Sequence, residues 1–138
     1  MTFIIFRNPN VIYNTFMNTN VSSIPDSSQS ISSLMQTLGS PARIQILLAI
    51  GTGEACVCHL EALLNLRQAY ISQHLMALRE AGLVSDHREG KYIYYHLNDP
   101  AMLDLLRMAA RLAGVPDEAL AVQDHAHCEC PNCSKEKQ

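Results

Sequence analysis

Two thiols stand one residue apart at Cys56-Val57-Cys58. Three more stand beside two imidazoles in the run His125-Ala126-His127-Cys128-Glu129-Cys130-Pro131-Asn132-Cys133. Thiolates are soft donors and select soft ions such as Zn(II), Cd(II) and As(III). Cys130-x-x-Cys133 has the bite of half a zinc or other thiophilic-metal site. The metal candidates are therefore Cys56, Cys58, Cys128, Cys130 and Cys133, with His59, His125 and His127 as further candidate donors. Residues i and i+2 on a regular helix lie about 200° apart. Cys56 and Cys58 can then share an ion only if the first helical turn is irregular or unwinds on binding. A helix start also lowers a thiol pKa and so favours the thiolate. Two thiolates are too few, since As(III) takes three and Cd(II) or Pb(II) three or four. Either the tail folds back, or across a dimer, to complete the site, or it binds its own ion, zinc foremost. A flexible tail with scavenging thiols is the third reading.

The elements that must position these groups follow from periodicity. Asn, Ser, Thr and Pro dominate from Asn8 to Ser30, so residues 1–29 read as a disordered leader, with Met17 as an alternative start. Ile31, Leu34, Met35 and Leu38 then recur at one-face helical spacing. Ser40-Pro41 starts a second helix carrying Ile44, Leu47 and Leu48 and closing at Ile50-Gly51. A third runs from about Cys56 to Leu64, with Val57, Leu60 and Leu64 inward. After a turn at Asn65-Leu66-Arg67, a fourth runs from Gln68 to about Ala81 and buries Ile71, Leu75 and Leu78. Leu83–His87 and the β-forming run Tyr92–Leu97, joined by a turn at Arg88-Glu89-Gly90-Lys91, form a hairpin. Asp99-Pro100 caps a fifth helix, whose wide apolar face holds Met102, Leu105, Leu106, Met108, Ala109 and Leu112. That order is a winged helix-turn-helix: mainly α with a β-hairpin wing, dimeric, over residues 30–114. Residues 115–138 form a flexible Cys/His-rich tail.

Composition limits the partners. At 138 residues the chain suggests one domain, and 48% hydrophobic content lets it bury a core without staples. A net charge of -3 argues against a broadly basic nucleic-acid coat but leaves room for a local basic patch. Five cysteines in this spacing are not a secreted disulfide framework, and no stretch reaches the roughly 18 apolar residues of a membrane span. A reducing cytoplasm is the expected setting.

Leu38-Gly39-Ser40-Pro41-Ala42-Arg43, Cys56-Val57-Cys58-His59-Leu60, Ile71-Ser72-Gln73-His74-Leu75, Leu78–Val84, and Arg88-Glu89-Gly90-Lys91 with Tyr94-Tyr95 together resemble the ArsR/SmtB family of metal-responsive winged-helix repressors. The resemblance covers residues 38–97 and implies a homodimer built from the first and last helices, an operator with dyad symmetry, and release of DNA when an inducer binds. Relatives with Cys-Val-Cys at this place sense arsenite, antimonite, cadmium or lead. Their usual aspartate after the second cysteine is His59 here. A second family site between the last helices is not carried over. Asp99 matches its first position, but Ala101, Leu112 and Val115 stand where ligands are expected, so Asp99 reads as a helix cap.

On the fourth helix, Gln68, Ala69, Tyr70, Ser72, Gln73 and His74 lie on or near the face opposite its buried residues. Gln can pair bidentately with adenine, and Ser can contact base or phosphate. Arg67, Arg88 and Lys91 are candidate phosphate anchors. Arg79 can pair with a local carboxylate instead, and His74 can pack rather than read DNA. The leading reading is a non-enzymatic repressor released by As(III) or Sb(III) through Cys56, Cys58 and a tail cysteine, with no catalytic cofactor. The alternatives are a Cd(II)-, Pb(II)- or Zn(II)-responsive repressor and a redox or sulfur-species sensor of the same fold. A thiol-redox enzyme using Cys130 and Cys133 lacks the βαβ surroundings of an active C-x-x-C.

Overall fold

Pro41 has no N–H to satisfy and sits at the start of a helix that follows extended Ser40, although the Ser40 side chain makes no capping bond. From such local signals the computed structural model builds its elements over the residues it describes, 26–122 and 128–131. These are α1 (Asp26–Leu38), α2 (Pro41–Ile50), β1 (Glu54–Cys56), α3 (Val57–Leu64) and α4 (Gln68–Glu80). The hairpin strands β2 (Val84–Glu89) and β3 (Tyr92–Leu97), α5 (Ala101–Leu112) and a 3-10 turn (Asp117–Leu120) follow. The division between two compact units falls within α1, after Gln36. The α1 helix starts inside the segment read as leader.

The second unit is a helix-turn-helix with a wing. Asn65 takes the left-handed conformation, φ 53°, that ends α3, and its N–H bonds back to the Glu61 carbonyl. Asparagine tolerates that conformation better than other side-chain-bearing residues. Three residues later α4 begins, burying Ile71, Leu75 and Leu78 as the periodicity indicates. Ile46, Leu47, Leu60 and Val84 are buried with them, whereas buried Tyr94 belongs to a separate cluster with Cys56. Asn98 ties the hairpin base to the end of α4, its side-chain amide donating to the Gly82 carbonyl at 2.7 Å and its N–H to the Leu83 carbonyl.

Four expectations change. The sheet has three strands in the order β1-β3-β2, all antiparallel, where the sequence indicates only a hairpin. Three residues are too few for a period-two pattern to register. The hairpin turn is the two residues Gly90-Lys91, with Arg88 and Glu89 in the strand; Gly90 supplies the positive φ that so short a turn demands. In α2 the buried residues are Ala42, Ile46, Leu47 and Ile50, while Ile44 and Leu48 are half-buried. That helix is apolar nearly all round, so no single stripe marks its inner face. In α3 only Leu60 is buried, and Val57 and Leu64 are not.

The α5 helix buries Met102, Leu103, Leu106 and Ala110 and leaves Met108 and Leu112 exposed. The Asp99 carboxylate accepts from the Ala101 N–H at 2.9 Å, the role of a cap. No helix among the described residues is long and apolar enough to cross a membrane.

Leu75 is fully buried under α4, whereas Met76 beside it is exposed. Leu75→Ala is expected to lower unfolding free energy by about 2–5 kcal/mol. Met76→Ala should stay within about 0.5 kcal/mol. Urea denaturation of both variants checks the difference.

Candidate metal centre and DNA-facing surface

Cys56 does two jobs. It ends β1 with extended backbone, φ -84° and ψ 163°, and it is the N-cap of α3, its sulfur accepting from the His59 N–H at 3.4 Å. Cys58 lies in the first turn. The 200° separation of a regular helix therefore does not apply, because one of the two residues precedes the helix. Their Sγ atoms are 2.7 Å apart with the helix intact. The expectation that α3 must be irregular or unwind to let both thiols meet is corrected by this geometry.

The tail reaches the same place. The Cys128 sulfur lies 3.1 Å from that of Cys58, and the ligand atoms of Cys56, Cys58, Cys128 and Cys130 all fall within 4.8 Å of one another. None of the four is joined in a disulfide. The arrangement is a pair of Cys-x-Cys segments facing each other, and a backbone N–H is aimed at a sulfur in each: His59 at Cys56, and Cys130 at Cys128. An ion about 2.3 Å from each of four tetrahedral thiolates would space the sulfurs about 3.8 Å apart. The cluster's spacings bracket that value, and the donor set is all sulfur, so these residues fit a thiophilic ion.

Burial sets the charge state. Cys56 and Cys130 are 2% exposed, and Tyr94 and Cys128 complete the buried cluster, with Cys58 and Tyr92 packed against it. Burial, reinforced by the Cys58 thiol, drives the Cys56 pKa well above the ordinary thiol range. Burial and the same neighbour push Cys128 up to about 11. Burial also pushes the Tyr94 phenol up to about 12, with Cys130 and Cys56 adding to it. The Tyr94 hydroxyl is buried without a well-formed hydrogen bond, and Cys130 is its polar neighbour.

Sequence pattern alone does not mark Tyr94 as a site residue. The signal that finds it is register: β1 pairs with β3 so that Cys56 lies opposite Tyr94, and β2 places His87 opposite Tyr94 on the other side. Directly paired residues project from the same face of a sheet. The His87 ring stacks on Tyr94 with centroids 5.7 Å apart, and its Nε2 lies 3.6 Å from the Glu54 carboxylate.

The other candidate donors are elsewhere. His59 gives the cluster its backbone N–H and also lines a separate cavity with Leu63, Leu103 and Arg107. His125, His127 and Cys133 lie outside the described residues.

The DNA-facing candidates divide. Arg67, Gln68, Ala69, Tyr70 and Gln73 are exposed along the start of α4, and Ser72 is half-buried. Arg88 and Lys91 are exposed at the wing tip, with the Arg88 Nε donating to the Gly90 carbonyl and the Lys91 ammonium 5.3 Å from the Tyr92 ring centre. His74 turns inward. Its Nε2 is buried, its ring meets Tyr70 edge-on at 4.5 Å, and burial with the nearby Arg43 charge lowers its pKa. That matches the alternative in which His74 packs instead of reading DNA. Arg79 pairs with Asp86 at 3.0 Å, as the local-carboxylate reading has it.

Residues 40–86 match the family described as bacterial regulatory protein, arsR family. The chain is similar to the biofilm growth-associated repressor of Agrobacterium fabrum, 39% identical over 87 residues, which cover 63% of this chain and 74% of that one. It is 45% identical over 78 residues to the arsenic resistance transcriptional regulator ArsR1 of Pseudomonas putida, covering 55% and 56%. Among solved structures it resembles the transcriptional repressor BigR from Xylella fastidiosa, with a TM-score of 0.58 at 29% identity over 62% of this chain and 87% of that one. The matched region thus spans from about half to three quarters of the curated relatives.

Raised thiol pKa values make binding of a divalent ion proton-linked. Cys56 and Cys128 are protonated from pH 6 to 8, so an ion that takes both as thiolates must displace both protons. Cd(II) affinity is expected to rise with pH, by about a hundredfold or more per unit, because two or more protons leave per ion. Competition titrations at pH 6, 7 and 8 check the slope, and a flat profile contradicts it.

Proposed function

The chain belongs to the ArsR family of bacterial regulatory proteins, and from that premise we propose that it is an operator-binding repressor released by a thiophilic metal(loid). The inducer is As(III) or Sb(III), held by Cys56, Cys58 and Cys128. The observation that carries this reading is the run of sulfurs about Cys58, with Cys56 at 2.7 Å and Cys128 at 3.1 Å. Charge supports it. Three neutral thiols and arsenous acid give a neutral tris-thiolate and three waters. Three S–H and three As–O bonds break, three As–S and three water O–H bonds form, and no electron is transferred. A buried pocket accepts a neutral product at far lower cost than an ion. The arsenic resistance regulator among the similar proteins points the same way.

A second reading rests on the fourth sulfur. Cys130 lies within 4.8 Å of the other three, and four thiolates suit Cd(II), Pb(II) or Zn(II). Such a complex carries a net charge of -2, which the two backbone N–H groups aimed at sulfur offset in part.

DNA is met by Arg67, Gln68, Ala69, Tyr70, Ser72 and Gln73 in the major groove, with Arg88 and Lys91 on phosphates. A homodimer formed by α1 and α5 presents two such helices to an operator with dyad symmetry. Exposed Met108 and Leu112 supply apolar surface for that seam. Release follows because the site is shared between the start of α3, which leads into α4, and β1, which is paired with the wing. Such coupling is worth about 1–3 kcal/mol in typical allosteric proteins. A reducing cytoplasm keeps the thiols available.

Operator gel shifts under reducing conditions test this. As(III) is expected to release DNA from the unaltered protein, and Cys56→Ser, Cys58→Ser and Cys128→Ser each to abolish release. Cys130→Ser should leave the As(III) response in place while weakening the Cd(II) response by about tenfold or more. Release by an oxidant with no response to any ion would contradict the proposal.

A further inference from the structure

The hydroxyl of Tyr94 needs a partner. It is fully buried in the cysteine cluster, makes no well-formed hydrogen bond, and has the Cys130 sulfur as its polar neighbour. A neutral thiol is a weak acceptor, whereas a thiolate is a strong one. The ring is also held in place. It sits in the central strand opposite Cys56 on one side and His87 on the other, and it stacks on the His87 imidazole. His87 is in turn 3.6 Å from the Glu54 carboxylate on β1. The hydroxyl is thus fixed beside the one sulfur of the cluster that a three-coordinate ion leaves unused.

We propose that Tyr94 is the positioning residue that sets which ions the site takes, by donating a hydrogen bond to Cys130 when that sulfur becomes the fourth thiolate around a divalent ion. The inference rests on the metal-binding reading of the cluster. Tyr94 keeps its proton throughout and forms no bond to the ion. Its donation spreads the charge of a buried four-thiolate complex, which carries two negative charges, while a neutral three-thiolate As(III) complex gains little from it. Groups that support metal ligands in this way typically change affinity by about tenfold to a hundredfold when removed.

The test is Tyr94→Phe in the full chain, which deletes one oxygen and keeps the ring. Three quantities are compared with the unaltered protein: Cd(II) affinity, As(III) affinity, and the energy of the sulfur-to-cadmium charge-transfer band. The expected result is a loss of Cd(II) affinity of about tenfold or more, with As(III) affinity kept within about threefold. The band should move to lower energy as Cys130 loses its donor and becomes electron-rich. The ion-free variant should melt no lower than the unaltered protein, because an unsatisfied buried hydroxyl has been removed. Equal losses for both ions, or an unchanged band with unchanged Cd(II) affinity, would overturn the proposal. A lower ion-free melting temperature with both affinities reduced would assign Tyr94 a packing role only, which also overturns it. If the unaltered protein binds neither ion, the metal-binding reading fails first, and this proposal with it.

Discussion

The pairing of three residues, Glu54–Cys56, with the wing strand β3 is the constraint on which the rest of the site depends. It holds Cys56 in extended backbone up to the moment the helix begins, so the two thiols of Cys56-Val57-Cys58 do not take helical spacing. It sets Cys56 opposite Tyr94 and brings the wing to the floor of the cluster. The same three residues make the sheet three-stranded and connect a candidate metal centre to both candidate DNA-facing elements. One of those elements is the wing, through β3. The other is α4, through α3 and the turn at Asn65.

The second constraint is electrostatic. Burial of Cys56 and Cys128 beside a tyrosine favours their neutral thiol forms. A ligand must bring enough positive charge, or leave as little net charge as arsenic does, to justify making thiolates there. On the proposed reading, arsenous acid and a divalent ion solve that problem differently, one by forming a neutral product and the other by drawing on N–H and O–H donors, and the difference between them falls on Cys130.

Much of this was legible in the chain. Apolar spacing places α4 with its buried Ile71, Leu75 and Leu78, and the Gly-bearing turn places the wing. Together with the motif set they carry the family, which the match over residues 40–86 supports independently. Soft-ligand chemistry marks Cys56, Cys58, Cys128 and Cys130 as donors, but spacing alone leaves open whether the tail turns back. What stayed hidden depends on tertiary pairing. A three-residue strand has no pattern of its own, so neither the relaxed geometry of Cys56-Val57-Cys58 nor the part played by Tyr94 can be seen before β1 meets β3. His74 is similar: its place on the helix leaves open whether it reads DNA or packs, and in the structure its Nε2 is buried and its ring meets Tyr70 edge-on.

The central claim is that Cys128 and Cys130 close one all-sulfur site with Cys56 and Cys58. X-ray absorption at the arsenic edge, on protein loaded with one equivalent of As(III) under reducing conditions, measures it most directly. Three sulfurs and no oxygen are expected around arsenic in the unaltered protein. Two sulfurs with oxygen are expected in a Cys128→Ser, Cys130→Ser double variant. An identical three-sulfur shell in both proteins would contradict it, since the ligands would then come from somewhere other than this pair of tail cysteines.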